Sequence, residues 1–154
     1  MGNPYRCKHF EIEELVPEAF LLAHGEEKCW MVFDLGLLQA ADALREMFGP
    51  IYCNTWADRD WMPGGPPMHF RGYRPPSCTV GAALSQHCFG RALDLTLADV
   101  SAEEARQRLR AMSESGRLRH LDGIRHIRRV EKGVGWLHID AGNHVSAGIH
   151  FFNP

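Results

Sequence analysis

The stretch Ser85-Gln86-His87-Cys88-Phe89-Gly90-Arg91-Ala92-Leu93-Asp94-Leu95-Thr96-Leu97 decides the fold. From Arg91 onward the side chains alternate: Arg91, Leu93, Leu95 and Leu97 fall on one side, Ala92, Asp94 and Thr96 on the other. That period of two predicts a β-strand. Gly90 lets the backbone turn tightly before it. Upstream, residues Ala57 to Ala83 are crowded with Pro, Gly and aromatics and show no period; loops of that length in a compact domain tend to be functional. Before the loop, Ile51 to Trp56 reads as a short strand. From Asp34, Leu37, Leu38, Ala41, Leu44, Met47 and Phe48 recur at helical spacing until Gly49-Pro50 stops the run. His9 to Leu15 reads as a short amphipathic turn or helix. Downstream, Ser101 and Glu104 form a capping box that opens a helix through about Met112, with Ala105, Leu109 and Met112 facing inward. Gly135 to Ala141 and Ala147 to Phe152 are further strands. Helices that lead, and short strands split by a loop and another helix, predict an α+β domain: a small antiparallel sheet with flanking helices.

The chain has 154 residues, the size of a single domain spanning 1–154. Its 45% hydrophobic and 23% charged content excludes a disordered or collagen-like chain. The formal charge of -2 hides an asymmetry: residues 1–50 carry 4 Lys/Arg against 9 Asp/Glu, and residues 101–132 carry 9 against 5. The basic excess is shallow and interrupted by Glu103, Glu104, Glu114, Asp122 and Glu131, which fits a solvated helix face, so no nucleic-acid partner is expected. No stretch could span a bilayer, and Met1 to Cys7 lacks the apolar run of a secretory signal. These features lead to the expectation of cytoplasmic synthesis and no membrane partner. Five cysteines without a Cys-x-x-C pair predict free thiols rather than a disulfide framework or a zinc ribbon.

Nine histidines are many for this length, and spacing singles out two. His87 lies seven residues before Asp94, and His138 sits in Gly135-Trp136-Leu137-His138-Ile139-Asp140. Two imidazoles and one carboxylate suffice to hold a catalytic zinc and leave a position open for water. Asp94 is an acid in the middle of an otherwise apolar strand, where it needs a partner. In the second segment Trp136, His138 and Asp140 share a strand face while Leu137 and Ile139 pack inward, which places Asp140 one pleat from His138. Asp140 is therefore expected to act as the base or as an orienter of a ligand histidine, with Glu131 as its rival. The Asp58-Arg59-Asp60 pair of acids fits an exposed loop better than a second metal site.

The pattern Ser-x-His-x-x-Gly-x-Ala-x-Asp (Ser85, His87, Gly90, Ala92, Asp94) followed by Trp-x-His-x-Asp (Trp136, His138, Asp140) resembles the family of zinc D-alanyl-D-alanine carboxypeptidases and L-alanyl-D-glutamate endopeptidases, which shares the hedgehog-type fold. His9 to Leu15 is similar to that family's opening Phe-Ser-x-x-Glu-Leu, and Arg71-Gly72-Tyr73-Arg74-Pro75 to its Ser-Gly-Tyr-Arg-Ser segment. The resemblance implies zinc as cofactor, His87, Asp94 and His138 as its ligands, and Arg74 as the cation for a substrate carboxylate or a developing oxyanion. It implies peptidase activity on peptidoglycan peptides, in an enzyme of the phage endolysin type released by a holin or carried on a virion. The sequence departs from the family in one place: the acid often found three residues before the last histidine is here Gly135. That departure supports an alternative, a non-catalytic zinc-containing structural or wall-binding domain of a phage particle, with other virion proteins as partners.

Overall fold

In the computed structural model, residues 3–57, 66–145 and 147–154 are described. The chain is α+β, and its helices and strands form where the apolar periods place them. Asp34 accepts a hydrogen bond from the Leu37 amide at 3.0 Å and so caps a fourteen-residue helix, Leu35–Phe48. Leu37, Leu38, Ala41, Leu44 and Phe48 are buried along one face. Two shorter helices precede it, Glu18–His24 and Glu26–Met31, separated by Gly25. In chain order these are α1, α2 and α3. The sequence did not announce α1 because seven residues between Pro17 and Gly25 make barely two turns, too few to show a period; Phe20 and Leu21 pack against the core, only partly buried. The fourth helix, α4, runs Ala102–Glu114, its Ser101 cap accepting from the Glu104 amide at 3.1 Å. The expected segment His9 to Leu15 contains one turn of 3₁₀ helix at Ile12–Glu14.

Among the described residues five strands, β1 Ile51–Tyr52, β2 Ala92–Leu97, β3 Arg129–Glu131, β4 Leu137–Asp140 and β5 His150–Phe152, form one sheet in the order β1-β2-β4-β3-β5. Three pairs are antiparallel, but β3 and β5 are parallel, so the sheet is mixed. The cause is topological. The chain reverses after β4, so β5 runs opposite to β4; β3 lies between them and is already antiparallel to β4, which leaves β5 parallel to it. Leu93, Leu95, Val130, Leu137 and Ile139 are fully buried on the sheet face that joins the core with Leu37, Leu38, Leu44, Ala105 and Leu109. The other face carries the polar residues.

The strands are shorter than their sequence patterns because groups outside the sheet, main-chain and side-chain, take the flanking backbone. Beyond β1, the Asn54 amide bonds to Glu14 O and the Thr55 amide to Met68 O. Before β5, the Ile149 amide bonds to Ser113 Oγ at 2.9 Å. Before β4, Arg106 of α4 reaches across to Trp136 O and Val134 O, both at 3.0 Å, while its Nε bonds to Glu103 at 2.8 Å. Arg106 is a buried guanidinium that pins the approach to β4. Arg106→Met is therefore expected to cost about 2–3 kcal/mol, the range for charge-assisted hydrogen bonds left unmade. Urea unfolding checks this, and an unchanged midpoint would show that the clamp is ornamental.

Of the long loop, residues 66–83 are described, and Asp58, Arg59 and Asp60 lie outside the described residues. Arg71 to Arg74 is laced between two neighbours: the Asp94 amide bonds to Arg71 O, and the Tyr73 amide to Leu15 O, both at 2.8 Å. A Cβ on Gly72 would fall 2.0 Å from Leu15 O, so only glycine allows this approach. Gly90 has φ +66°, and a Cβ there would lie 1.9 Å from Val32 O. These two glycines seat the loop and the turn that bring Arg74 and His87 to β2. All five cysteines are free thiols. Among the described residues no helix is long and apolar enough to cross a membrane.

Candidate metal centre

The register of the sheet brings the candidate ligands together. Asp94 of β2 lies directly opposite His138 of β4. His87 reaches them from a 3₁₀ turn, Gln86–Phe89, capped by Ser85 and closed by Gly90. All three side chains are buried, and one ligand atom from each lies within 4.8 Å of the others. His138 Nδ1 stands 2.7 Å from Asp94 Oδ1, and His87 Nε2 stands 3.3 Å from Asp94 Oδ2. Two ligand atoms at zinc-like bond lengths and a tetrahedral angle would be about 3.3 Å apart.

The outward nitrogens explain why the rings point this way. His87 Nδ1 is 2.8 Å from Gly72 O, an acceptor only, so that nitrogen carries the proton and Nε2 offers its lone pair to the centre. His138 Nε2 is 3.2 Å from Asp140 Oδ2. When Nε2 donates there, Nδ1 is the free lone pair. Each imidazole is thus turned by an acceptor on its far side, and each presents its remaining nitrogen to Asp94. This donor set, two neutral nitrogens and one carboxylate, fits a divalent cation and leaves coordination positions open. Buried His87, Asp94 and His138 can hold a metal ion.

Without a cation the same contacts become a charge network. Burial disfavours the Asp94 carboxylate, but hydrogen bonds from His138 and His87 outweigh it and hold the group well below the ordinary carboxylate range. Burial likewise pulls His138 down, yet its hydrogen bonds to Asp140 and Asp94 lift it to about 9. The metal-free imidazole therefore carries a proton at neutral pH, which an entering cation must displace. Affinity for a divalent cation such as zinc is expected to rise about tenfold per pH unit from pH 7 and to flatten near pH 9, where His138 is already deprotonated. In the metal-free protein the sign is opposite. The raised value stabilises the fold fully below its unperturbed pKa and is lost as pH rises through about 9. Zinc-competition titrations and thermal melts across that window test both; a pH-independent affinity would contradict the proton displacement.

Asp140 is fully buried and its oxygens are occupied. Arg129 of β3, directly across from it, donates from Nε to Oδ1 at 2.8 Å and from Nη2 to Oδ2 at 2.9 Å, and the Gly142 amide donates to Oδ1 at 2.9 Å. Of the two roles open to Asp140, this geometry fits the orienter of His138. Arg129 escaped the sequence reading because β3 has only three residues, too few to show a period. Glu131 is on the same short strand, and its Oε2 is 3.9 Å from His138 Nδ1 on a side chain 16% exposed. Arg74 bonds through Nε to Phe70 O at 2.7 Å and through Nη2 to Asp94 Oδ2 at 3.2 Å. His87, Asp94, His138, Arg74, Glu131 and Arg129 line one cleft of about 580 Å³, with Trp136 and Phe152 on its walls. Gly135 stands clear of it, with nothing within 4 Å of a Cβ built there. His144 and His150 stack on each other at 4.0 Å and contribute nothing to the ligand group. Cys88, beside His87 in sequence, is also outside that group.

Comparison of the chain with protein-family models, with curated proteins and with solved structures gives no match.

Proposed function

We propose that the chain is a zinc-dependent peptidase acting on peptides of the peptidoglycan stem, the activity its sequence resemblance implies. The observation that carries this reading is the double anchoring of the histidines: Gly72 O and Asp140 fix the far nitrogens, and the near nitrogens converge with Asp94 at a cleft of about 580 Å³. Outer partners of this kind accompany metal-binding imidazoles and set their tautomers. Zinc held there supplies a Lewis acid that polarises a peptide carbonyl and acidifies water. The protein side chains supply the rest. Arg74, already fixed by Phe70 O, offers its guanidinium to a substrate carboxylate or to the oxygen on which charge develops. Glu131 Oε2 accepts the proton of the attacking water and returns it to the leaving amine, the work expected of an acid at Gly135. Its carboxylate belongs to the cleft and, among the described residues, is not paired with an arginine, as that of Asp140 is.

Two measurements test the reading together. Zinc-loaded protein incubated with peptidoglycan is expected to release new amine termini, located by mass spectrometry of the digested stem peptides. Arg74→Ala is expected to reduce that release about a hundredfold while zinc is retained, because the guanidinium serves the substrate and its contact with Asp94 competes with a bound cation rather than supporting it. Stoichiometric zinc without new amines from any wall chemotype would favour the alternative, a zinc-stabilised binding domain, for which Gly135 is the supporting feature.

A further inference from the structure

The face of the sheet opposite the metal centre carries a recess of its own. Val130 of β3 pairs with Phe151 of β5, and both side chains point to the helix-covered face, away from Arg129, Glu131 and Phe152. Where α4 ends over this edge of the sheet, Arg110, Ser113, Glu114, Lys132, Ile149 and Phe151 enclose about 200 Å³. None of these residues lines the metal cleft. Two cations reach the recess from different elements. Arg110 of α4 holds its Cζ 4.5 Å over the Phe151 ring, and Lys132, whose amide bonds to Phe152 O at 2.8 Å, follows β3. A guanidinium laid on an aromatic ring is ordered before a ligand arrives and keeps its edge free to donate.

Neither cation is spent on the fold. Arg106 and Arg108 of the same helix are paired with Glu103 and Glu104, whereas Arg110 and Lys132 form no ion pair among the described residues. Cations near a helix C-terminus ordinarily serve its last carbonyls. Here the carbonyls of Ala111, Met112 and Ser113 already accept from Ser115 and Gly116. The Ser113 hydroxyl accepts from the Ile149 amide at 2.9 Å and closes the floor, which Ile149 and Phe151 make apolar. Two positive charges on separate elements suit a phosphate better than a carboxylate, which one guanidinium fork satisfies. Glu114, exposed beside them, opposes a bare polyanion but accepts from hydroxyl groups. We infer that this recess is a binding site for a phosphate ester of a small polyol, with the phosphate between Arg110 and Lys132, the hydroxyls at Glu114 and the carbon stem on Ile149 and Phe151. A volume below the roughly 300 Å³ at which drug-sized sites begin takes one such unit. The site is separate from the cleft, so its failure would leave the peptidase reading untouched.

The probes are glycerol phosphate, inorganic phosphate, glycerol and a poly(glycerol phosphate) of defined length, titrated into the isotope-labelled full chain. Glycerol phosphate is expected to shift the Arg110 side-chain and Phe151 ring NMR resonances and to bind about threefold or more tighter than inorganic phosphate, with no shift from glycerol alone. Arg110→Gln and Lys132→Gln are each expected to weaken glycerol phosphate about tenfold, the loss of one charge-assisted hydrogen bond. Each leaves the other cation in place, and circular dichroism confirms the fold of both. Glu114→Gln removes a repulsive charge and an acceptor together, so it is expected to tighten inorganic phosphate and to bring the two ligands within about twofold. A polymer that binds more tightly than its number of repeats accounts for identifies a wall polymer as the source, and equal affinity per repeat identifies a soluble ester; either outcome supports the site. No binding to the wild type, equal affinity for phosphate and its glycerol ester, or binding undiminished in both charge variants would overturn the inference. So would shifts at these residues with a single-stranded oligonucleotide and none with glycerol phosphate.

Discussion

Asp94→Asn protein is expected to bind zinc at least about a hundredfold more weakly than wild type and to lose it on dialysis. Asp94 is the hinge of the centre: one oxygen faces His138 and the other faces His87, at 2.7 and 3.3 Å. A neutral amide is a poor ligand for a divalent cation, and its NH2 group would confront a histidine lone pair or the Arg74 guanidinium. Losing a ligand should cost more than the 10- to 100-fold typical of an outer-shell partner. His138→Ala is expected to behave the same way, whereas His144→Ala, outside the ligand group, retains stoichiometric metal. Elemental analysis and competition with a chromophoric chelator read this directly. Equal zinc in Asp94→Asn and wild type would mean that the histidines and aspartate form a buried charge network and that the metal lies elsewhere.

The three residues of the candidate centre were legible in the sequence, and much of their surroundings was not. A strand of alternating residues with one acid, a glycine-closed turn bearing a histidine, and a second strand with a histidine on its polar face are local patterns, and local patterns survive folding. Asp94 and His138 meet because those two strands pair in register. The missing information is non-local or too short to repeat. β3 has three residues, yet it delivers both Arg129 and Glu131 to the cleft. The Gly72 carbonyl that orients His87 depends on how a loop without period lies against Leu15. The strand ends were overestimated for a related reason. Arg106 and Ser113 take backbone groups that a pattern of side chains assigns to the sheet. The parallel β3–β5 pair likewise follows from strand order, which one-dimensional alternation does not encode.

The position of Glu131 changes the expected order of two variants. From strand geometry alone Asp140 is the nearer acid, and its loss should be the more damaging to turnover. In the folded protein Asp140 is buried under Arg129, His138 and the Gly142 amide, with no oxygen left for water in the cleft. Asp140→Asn should therefore loosen His138 and weaken zinc binding by about 10- to 100-fold, and kcat should largely return at saturating metal. Glu131 bonds to no arginine in its contact with His138, and its carboxylate lines the cleft 3.9 Å from Nδ1. Glu131→Gln should keep zinc at wild-type stoichiometry and lower kcat about 10²- to 10⁴-fold, the span of general acid–base assistance. The glycine at 135 offers a rescue. Its backbone is not in the left-handed region and a Cβ there meets no atom within 4 Å, so Gly135→Glu can be accommodated. Placed in the Glu131→Gln background, it is expected to restore part of kcat, since an acid at that position serves the same proton in the enzymes this chain resembles. A Glu131→Gln enzyme with undiminished kcat, or one whose defect vanishes with added zinc, would return the role to Asp140.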